Sequence, residues 1–280
     1  MINYSGELIA YENAQLPFDH RAVAYADSLF ETIRFSHQSL RFFEDHYFRL
    51  MSGMRIYRME IPMHFSPEYL EGEVFKLLKA KSLFDGQARI RLQVFRSGTG
   101  FYVPSNTEIG FLISAAELEN PSFEIGKGLE MDLYKDMAKP IHLLSGLKQS
   151  GAGLYIIAGI WARENGLDDC FLLNERKNLC ESVSGNVFLV KGDELHTPSL
   201  SSGCLKGVMR KQILRLASKM GLKTFEGEIS PFELLKADEV WLSNAISGVQ
   251  WMKTYRQNHY SNERAQEMCN LLNTERAAPN

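Results

Sequence analysis

Leu179-Cys180-Glu181-Ser182-Val183-Ser184-Gly185-Asn186-Val187-Phe188 is the stretch on which the reading of the whole chain turns. An acid stands on what reads as a turn, an asparagine follows at the fifth position, and Val187-Phe188-Leu189-Val190 reads as a strand. Upstream lies Lys148. The segment before it, Leu143-Leu144-Ser145-Gly146-Leu147, is short of charge, and the segment after it, Gln149-Ser150-Gly151-Ala152-Gly153, is small and uncharged. A desolvated lysine gives up its proton more easily, as an amine that forms a Schiff base must. Downstream, in Cys204-Leu205-Lys206-Gly207-Val208-Met209-Arg210, a glycine opens a helix whose first N–H groups and dipole can hold a phosphate. A lysine, an acid and a helix-opening glycine, in that order, point to a bound cofactor with an aldehyde, a basic ring nitrogen and a phosphate.

Composition bounds the alternatives. A chain of 280 residues with 45% hydrophobic and 23% charged residues has room for two modest domains and a sizeable core. A net charge of −3 argues against nucleic acid as the main partner. No apolar run approaches the roughly 18–20 residues that span a bilayer, and the first residues lack the pattern of a signal peptide, so no membrane partner and a cytoplasmic location are expected. Cys170, Cys180, Cys204 and Cys269 show no C-x-x-C pair and no metal-like spacing with histidine, and they read as buried free thiols. No metal site is expected.

Along the chain, alternation predicts a strand over Leu29–Phe35, with Leu29, Glu31 and Ile33 on one face and Phe30, Thr32 and Arg34 on the other. A helix is predicted over about Glu44–Ile56, with Tyr47, Leu50, Met51 and Met54 as its apolar stripe and Arg49 off that stripe, free to point elsewhere. Ser66-Pro67 starts a second helix that runs to about Lys81, and Asp85-Gly86 turns into a strand over Ala88–Arg96. The connection Glu117–Ser122 is the candidate boundary. Two domains are therefore expected, a small N-terminal one over 1–118 and a larger one over 124–280 that carries Lys148, joined by a connection over 119–123. The second half reads as a helix over Leu154–Glu164, strands at Cys170–Leu173 and Asn186–Val190, a helix from Gly207 to about Met220, a capping box at Ser230–Glu233, and a strand over Glu239–Leu242. The fold class is α+β.

The ordered set resembles the class IV aminotransferase family, the fold type IV pyridoxal-phosphate enzymes, over most of the chain. Ala162 stands fourteen residues after Lys148, where the family's helix ends in alanine. His46-Tyr47-Phe48-Arg49-Leu50 matches H-x-x-R-L, and Leu205-x-Gly207-Val208-x-Arg210 is similar to L-x-G-[IV]-T-R with Met209 in the threonine's place. The family's Y-G-D-G-x-F-E becomes Tyr25-Ala26-Asp27-Ser28-Leu29-Phe30-Glu31, which loses both glycines. Gly151 replaces an asparagine, and Trp251 stands where proline is common.

The resemblance implies a homodimer that binds pyridoxal 5'-phosphate and acts on a small molecule. It implies that Lys148 is the covalent lysine and base, and that Glu181 pairs with the ring nitrogen. It further implies that Arg49, Gly207, Val208, Asn244 and Ala245 surround the cofactor. Thr32 is a candidate group on the substrate side. Ser243-Asn244-Ala245 looks like the branch of 4-amino-4-deoxychorismate lyases, which release pyruvate and leave 4-aminobenzoate for folate synthesis. Aminotransferases of branched-chain or D-amino acids share the same frame, and a cofactor-binding protein without catalysis is a third reading.

Overall fold

The computed structural model describes residues 1–275. The chain divides into two compact units, one built from residues 1–122 with Lys148–Gly151, the other from Phe123–Leu147 and Ala152–Glu275. The lysine segment therefore clusters with the first unit, whereas the sequence reading assigned it to the second. The reason is backbone pairing: the Phe30 N–H donates to the Lys148 carbonyl at 2.9 Å, and the Ser150 N–H donates to the Ser28 carbonyl at 3.1 Å.

In the first unit a six-stranded antiparallel sheet has the order β2-β1-β6-β5-β3-β4. Its strands are β1 (Ile2–Tyr4), β2 (Glu7–Ile9), β3 (Ser28–Ser36), β4 (Ser39–Leu40), β5 (Ala88–Arg96) and β6 (Ile109–Glu117). Helix α1 (Arg21–Ala24) leads into β3, and α2 (Phe43–Ile56) packs on β3. Helix α3 (Pro67–Ala80) lies on β1 and β6, with the Ser66 hydroxyl accepting from the Tyr69 N–H at 3.2 Å as its N-cap. Gly53 permits the close approach of α2: a Cβ there would stand 3.0 Å from a Leu29 methyl. Leu29, Ile33, Leu50, Met54, Leu70 and Leu77 are buried in this unit.

The second unit is a nine-stranded sheet ordered β12-β11-β10-β13-β14-β7-β8-β9, with β15 paired to β14. The strands are β7 (Leu129–Lys139), β8 (Asp169–Asn174), β9 (Leu179–Ser182), β10 (Asn186–Lys191), β11 (Glu194–Pro198), β12 (Lys223–Gly227), β13 (Glu239–Asn244), β14 (Gly248–Tyr255) and β15 (Asn258–His259). The β7–β8, β14–β7 and β11–β12 pairs are parallel. Helix α4 (Gly153–Glu164) packs on β7 and β8, while α5 (Val208–Ala217) and α6 (Glu263–Thr274) pack together against β13 and β14. Phe171, Val187, Leu189, Val240, Leu242 and Met252 form one core cluster, and Tyr134, Ala158, Ala162, Cys170 and Leu172 form another under α4. The four cysteines are free and buried, and burial pushes the Cys204 and Cys269 thiols up to about 11.

Several local expectations are corrected. Glu181 lies in strand β9, opposite Leu172, and the turn comes after it. At Ser230 the serine caps as expected, accepting from the Phe232 N–H at 3.4 Å, but Glu233 gives its carboxylate to Lys191 and Lys236 and does not reach back. Trp251 pairs across strands with Trp241 and donates its indole N–H to the Gly126 carbonyl at 2.9 Å, which gives it a structural role. Strands β6 and β14 and helix α6 had no expectation attached.

Of the two lost glycines, one conformation survives without its residue. Ala26 sits at φ 51, in the left-handed region. A Cβ there costs about 1–2 kcal/mol relative to the right-handed region. Ala26→Gly is expected to stabilise the fold by about 1 kcal/mol, the freedom gained in the unfolded chain taking back part of the relief. Chemical denaturation measures it, and a midpoint at or below that of the parent would contradict the strain.

Candidate active site

Strand β3 builds the first unit's polar groups because its alternation sends neighbouring residues to opposite faces. On the α2 side, Glu31 is 1% exposed. It accepts from Arg49 Nε at 2.8 Å, is also paired with Arg49 Nη2, and meets His46 Nδ1 at 2.6 Å. Burial alone would raise the Glu31 carboxyl, but Arg49 and then His46 overcome it and hold it at about 2. Burial pushes His46 down against the pull of Glu31, with Arg49 and Lys148 adding to the fall, so the imidazole is neutral. Since ionised Glu31 can only accept, Nδ1 carries the proton, and the buried Nε2 has no hydrogen-bond partner among the described residues. Arg49 is thus no exposed helix arginine: it is anchored on a buried acid.

The other face of β3 carries Phe30 and Thr32. The Lys148 ammonium stands 4.6 Å from the centre of the Phe30 ring, and the Arg91 guanidinium stands 3.8 Å from the same centre. Thr32 is buried and lies directly opposite Arg91 across the β3–β5 pair, with Arg34 opposite Arg89. Ser28, where the family has glycine, hydrogen-bonds Ser150 Oγ at 2.7 Å and accepts from Gln93 Nε2 at 3.0 Å, tying the lysine segment to the sheet by a side-chain bond. Beyond Gln149, a cavity of about 290 Å³ is walled by Tyr25, Tyr57 and Tyr102 and by Arg21 and Arg96, which share the single carboxylate of Asp27. Two guanidiniums on one carboxylate leave that wall with one positive charge in excess.

In the second unit, Glu181 is 3% exposed. Its Oε1 is paired with Lys139 and accepts from Tyr155 Oη at 2.6 Å, while its Oε2 accepts from the Leu205 N–H at 2.7 Å. Asn186 Nδ2 donates to the Leu205 carbonyl at 2.9 Å, and Gly207 lies so close to Asn186 that a Cβ would strike its side chain. This explains both the asparagine at the fifth position after the acid and the glycine before α5. Gly207 is the N-cap residue of α5 and no side chain caps that helix. Val208 is its first residue, and Met209, in the threonine's place, is buried. Asn244 ends β13, and its Oδ1 accepts from the Ile246 and Ser247 N–H groups at 3.0 and 2.8 Å, folding the turn that contains Ala245. Asp169 holds the turn after Glu181, accepting from Ser182 Oγ at 3.0 Å and Ser184 Oγ at 2.5 Å and from the Val183 and Ser184 N–H groups at 3.2 Å each. Burial raises its pKa against those bonds.

The first unit therefore brings Thr32, Arg49 and Lys148 onto or beside one strand, and the second ties Glu181 and Asn186 to Leu205, with Gly207 against Asn186 and Val208 next in the chain. Sequence reading missed Arg91, His46, Lys139, Tyr155 and Asp169 as site groups. Arg91 had a signal, since alternation in Ala88–Arg96 puts Arg89 and Arg91 opposite the apolar face. Lys139 and Tyr155 had none, because their roles come from long-range pairing. No group of three or more His, Cys, Asp or Glu side chains arranged for a metal ion occurs among the described residues.

The Glu31 cluster gives a pH test. A carboxyl held at about 2, against 4.5 in the unfolded chain, contributes stability that is present above 4.5 and lost as pH falls toward 2. The shift corresponds to roughly 3 kcal/mol. Glu31→Gln is expected to flatten the acid limb of a stability–pH curve in that window. Arg49→Ala is expected to cost about 3–5 kcal/mol at neutral pH by leaving Glu31 buried and short of its cation. An Arg49→Ala protein of parental stability would contradict the pairing.

The sequence profile described as amino-transferase class IV matches residues 28–254. The chain is 29% identical over 256 residues to the aminodeoxychorismate lyase of Bacillus subtilis, covering 88% of this chain and 83% of that protein. It is 27% identical over 255 residues to the branched-chain-amino-acid aminotransferase of Escherichia coli K12, covering 88% and 82%. Its fold is that of the branched-chain aminotransferase of Thermoproteus uzoniensis solved with norvaline, at a TM-score of 0.87 and 21% identity over 97% of this chain and 92% of that one. The order Lys148, Glu181, Gly207 and the match over most of the chain lead to one conclusion: this chain belongs to the class IV aminotransferases, a family of pyridoxal-phosphate-dependent enzymes.

Proposed function

We propose that the protein is a 4-amino-4-deoxychorismate lyase acting in folate biosynthesis, in the cytoplasm and as a homodimer. The observation that carries this reading is the cationic face of the first sheet: Arg91 shares the Phe30 ring with Lys148, and Arg89 lies two residues along the same strand. The lyase substrate bears two carboxylates; the second reading needs the same face to take leucine, with one carboxylate and an apolar side chain, as well as the dicarboxylate 2-oxoglutarate. Arg91 is half-buried, and a guanidinium removed from water binds a carboxylate more strongly than an exposed one. The positive surplus round Asp27 favours the same substrate charge. The turn Asn244-Ala245, without the threonine of aminotransferases, supports the lyase as well. The relatives include both enzyme types at similar identity, so amino transfer from branched-chain or D-amino acids is the second reading.

The residues fit pyridoxal phosphate. Glu181 is a buried carboxylate with an oxygen not fully bonded, and α5 opens at a residue where a Cβ would collide with Asn186. In this reading Lys148 would hold the cofactor's aldehyde carbon, Glu181 would pair with its ring nitrogen, and the Val208 end of α5 would take its phosphate. Ala245 and Asn244 shape the neighbouring turn. Arg49 is matched in charge by Glu31, and that tie makes it a fixed group rather than a mobile clamp. When bound, the cofactor supplies an electron sink for the carbon that carries the substrate's amine. Lys148 Nζ, when free as an amine, would take the proton from the same carbon. It then returns a proton as pyruvate departs. Thr32, opposite Arg91, lines the substrate side.

Three measurements test the proposal. Incubation with aminodeoxychorismate is expected to yield 4-aminobenzoate and pyruvate, with slow or absent amino transfer from leucine or D-alanine to 2-oxoglutarate. Strong amino transfer without pyruvate release would move the protein to the second reading. Borohydride reduction and peptide mapping should label Lys148 and not Lys139. Arg91→Leu should lower kcat/KM for aminodeoxychorismate about ten- to a hundredfold, the worth of one charged hydrogen-bonded contact. Parental kinetics in that variant would remove Arg91 from the substrate site.

A further inference from the structure

Lys139 closes β7, is 3% exposed, and has one acid beside it. Its ammonium pairs with Glu181 Oε1 and donates to Tyr155 Oη at 2.8 Å, and Tyr155 Oη donates to that same Oε1 at 2.6 Å. The Leu205 N–H occupies one direction on Oε2 at 2.7 Å. A carboxylate offers about four lone-pair directions, two per oxygen. Both on Oε1 are taken, so a further N–H can be accepted only by Oε2. The charges of Lys139 and Glu181 also cancel within the buried cluster. A protonated ring nitrogen arriving at Oε2 meets a neutralised pair instead of a lone anion, with a cation a few ångströms behind it.

We propose that Lys139 is a positioning residue acting through Glu181: it presents Oε2 to the ring nitrogen of the cofactor and loosens that nitrogen's hold on its proton. This rests on the reading of Glu181 as the ring's partner. The lysine is not a second covalent site. Burial opposes its charge, but Glu181 and Tyr155 outweigh burial and raise its pKa, so the amine stays protonated and is not nucleophilic. Tyr155 is raised by burial and by Glu181, so its phenol keeps the proton it donates. A ring less firmly protonated is a weaker electron sink, which makes Lys139 a tuning group for the chemistry at Lys148.

The test loads the protein with cofactor labelled with ¹⁵N at the ring nitrogen and follows that nucleus against pH. Lys139→Met is expected to keep the ring protonated about one to two pH units higher than the parent, since a nearby cation has been removed. Lys139→Arg keeps the charge and should titrate with the parent. Glu181→Gln should lose the ring proton earlier than the parent. If Glu181→Gln titrates as the parent does, the reading of Glu181 fails, and the proposal with it. If Glu181→Gln moves while Lys139→Met does not, the proposal alone is overturned. Should Lys139→Met not fold, Lys139→Gln supplies a neutral side chain that keeps a donor, with the same upward displacement expected and the same null outcome overturning it.

Discussion

A buried carboxylate must be matched by donors or it loses its charge, and the arrangement round Glu181 follows from that constraint. Its donors come from three places in the chain: the end of β7, the first turns of α4 and the segment before α5. Each ties its own element to the one acid. Asn186 then passes the constraint on, because the carbonyl it binds belongs to the residue whose N–H binds Glu181. The opening of α5 is therefore set by an acid on a strand far from it in sequence. Asp169 does the same for the turn that follows β9, with side-chain and backbone donors on one carboxylate.

The first unit solves a similar problem differently. Glu31 is equally buried, but its partners are a guanidinium and a neutral imidazole from one helix, α2. Arg49 lies off the apolar stripe of α2, and the pairing with Glu31 is what holds it. On the opposite face two cations meet at one ring. Lys148 and Arg91 lean on an aromatic ring, which attracts positive charge without neutralising it. One strand thus carries the Glu31 ion cluster on one face and the Phe30 ring with its two cations on the other.

Much of this was legible in the sequence where the signal is local. The helix over α2, the serine cap of α3, the end of α4 at Glu164 and the opening of α5 at Gly207 follow from periodicity and capping, and the structure has them there. The three-part order of lysine, acid and glycine also has a visible spacing. What sequence could not give is pairing at a distance. Lys139 and Glu181 are 42 positions apart, and nothing in either neighbourhood marks the partner. Glu181 read as a turn residue because small residues follow it, yet ladder pairing with β8 extends the strand through it. Trp251 had no reading until the Gly126 carbonyl gave its indole a partner.

Strand β3 carries one further consequence, for how such a chain can change over generations. Its two faces do opposite work, Glu31 and Ile33 turned to α2, Phe30 and Thr32 to the cationic side. A single inserted or deleted residue would exchange them, turning Thr32 to α2 and taking Glu31 away from Arg49 and His46. Nearly the whole of β3 is paired with β5, so no bulge is spare to absorb the slip. The connection over 97–108 is largely exposed and has no such alternation to protect. A change of length there would leave the ladder in register, at the expense of the cavity wall that Tyr102 supplies, while the span from Ser28 to Phe35 must keep its count.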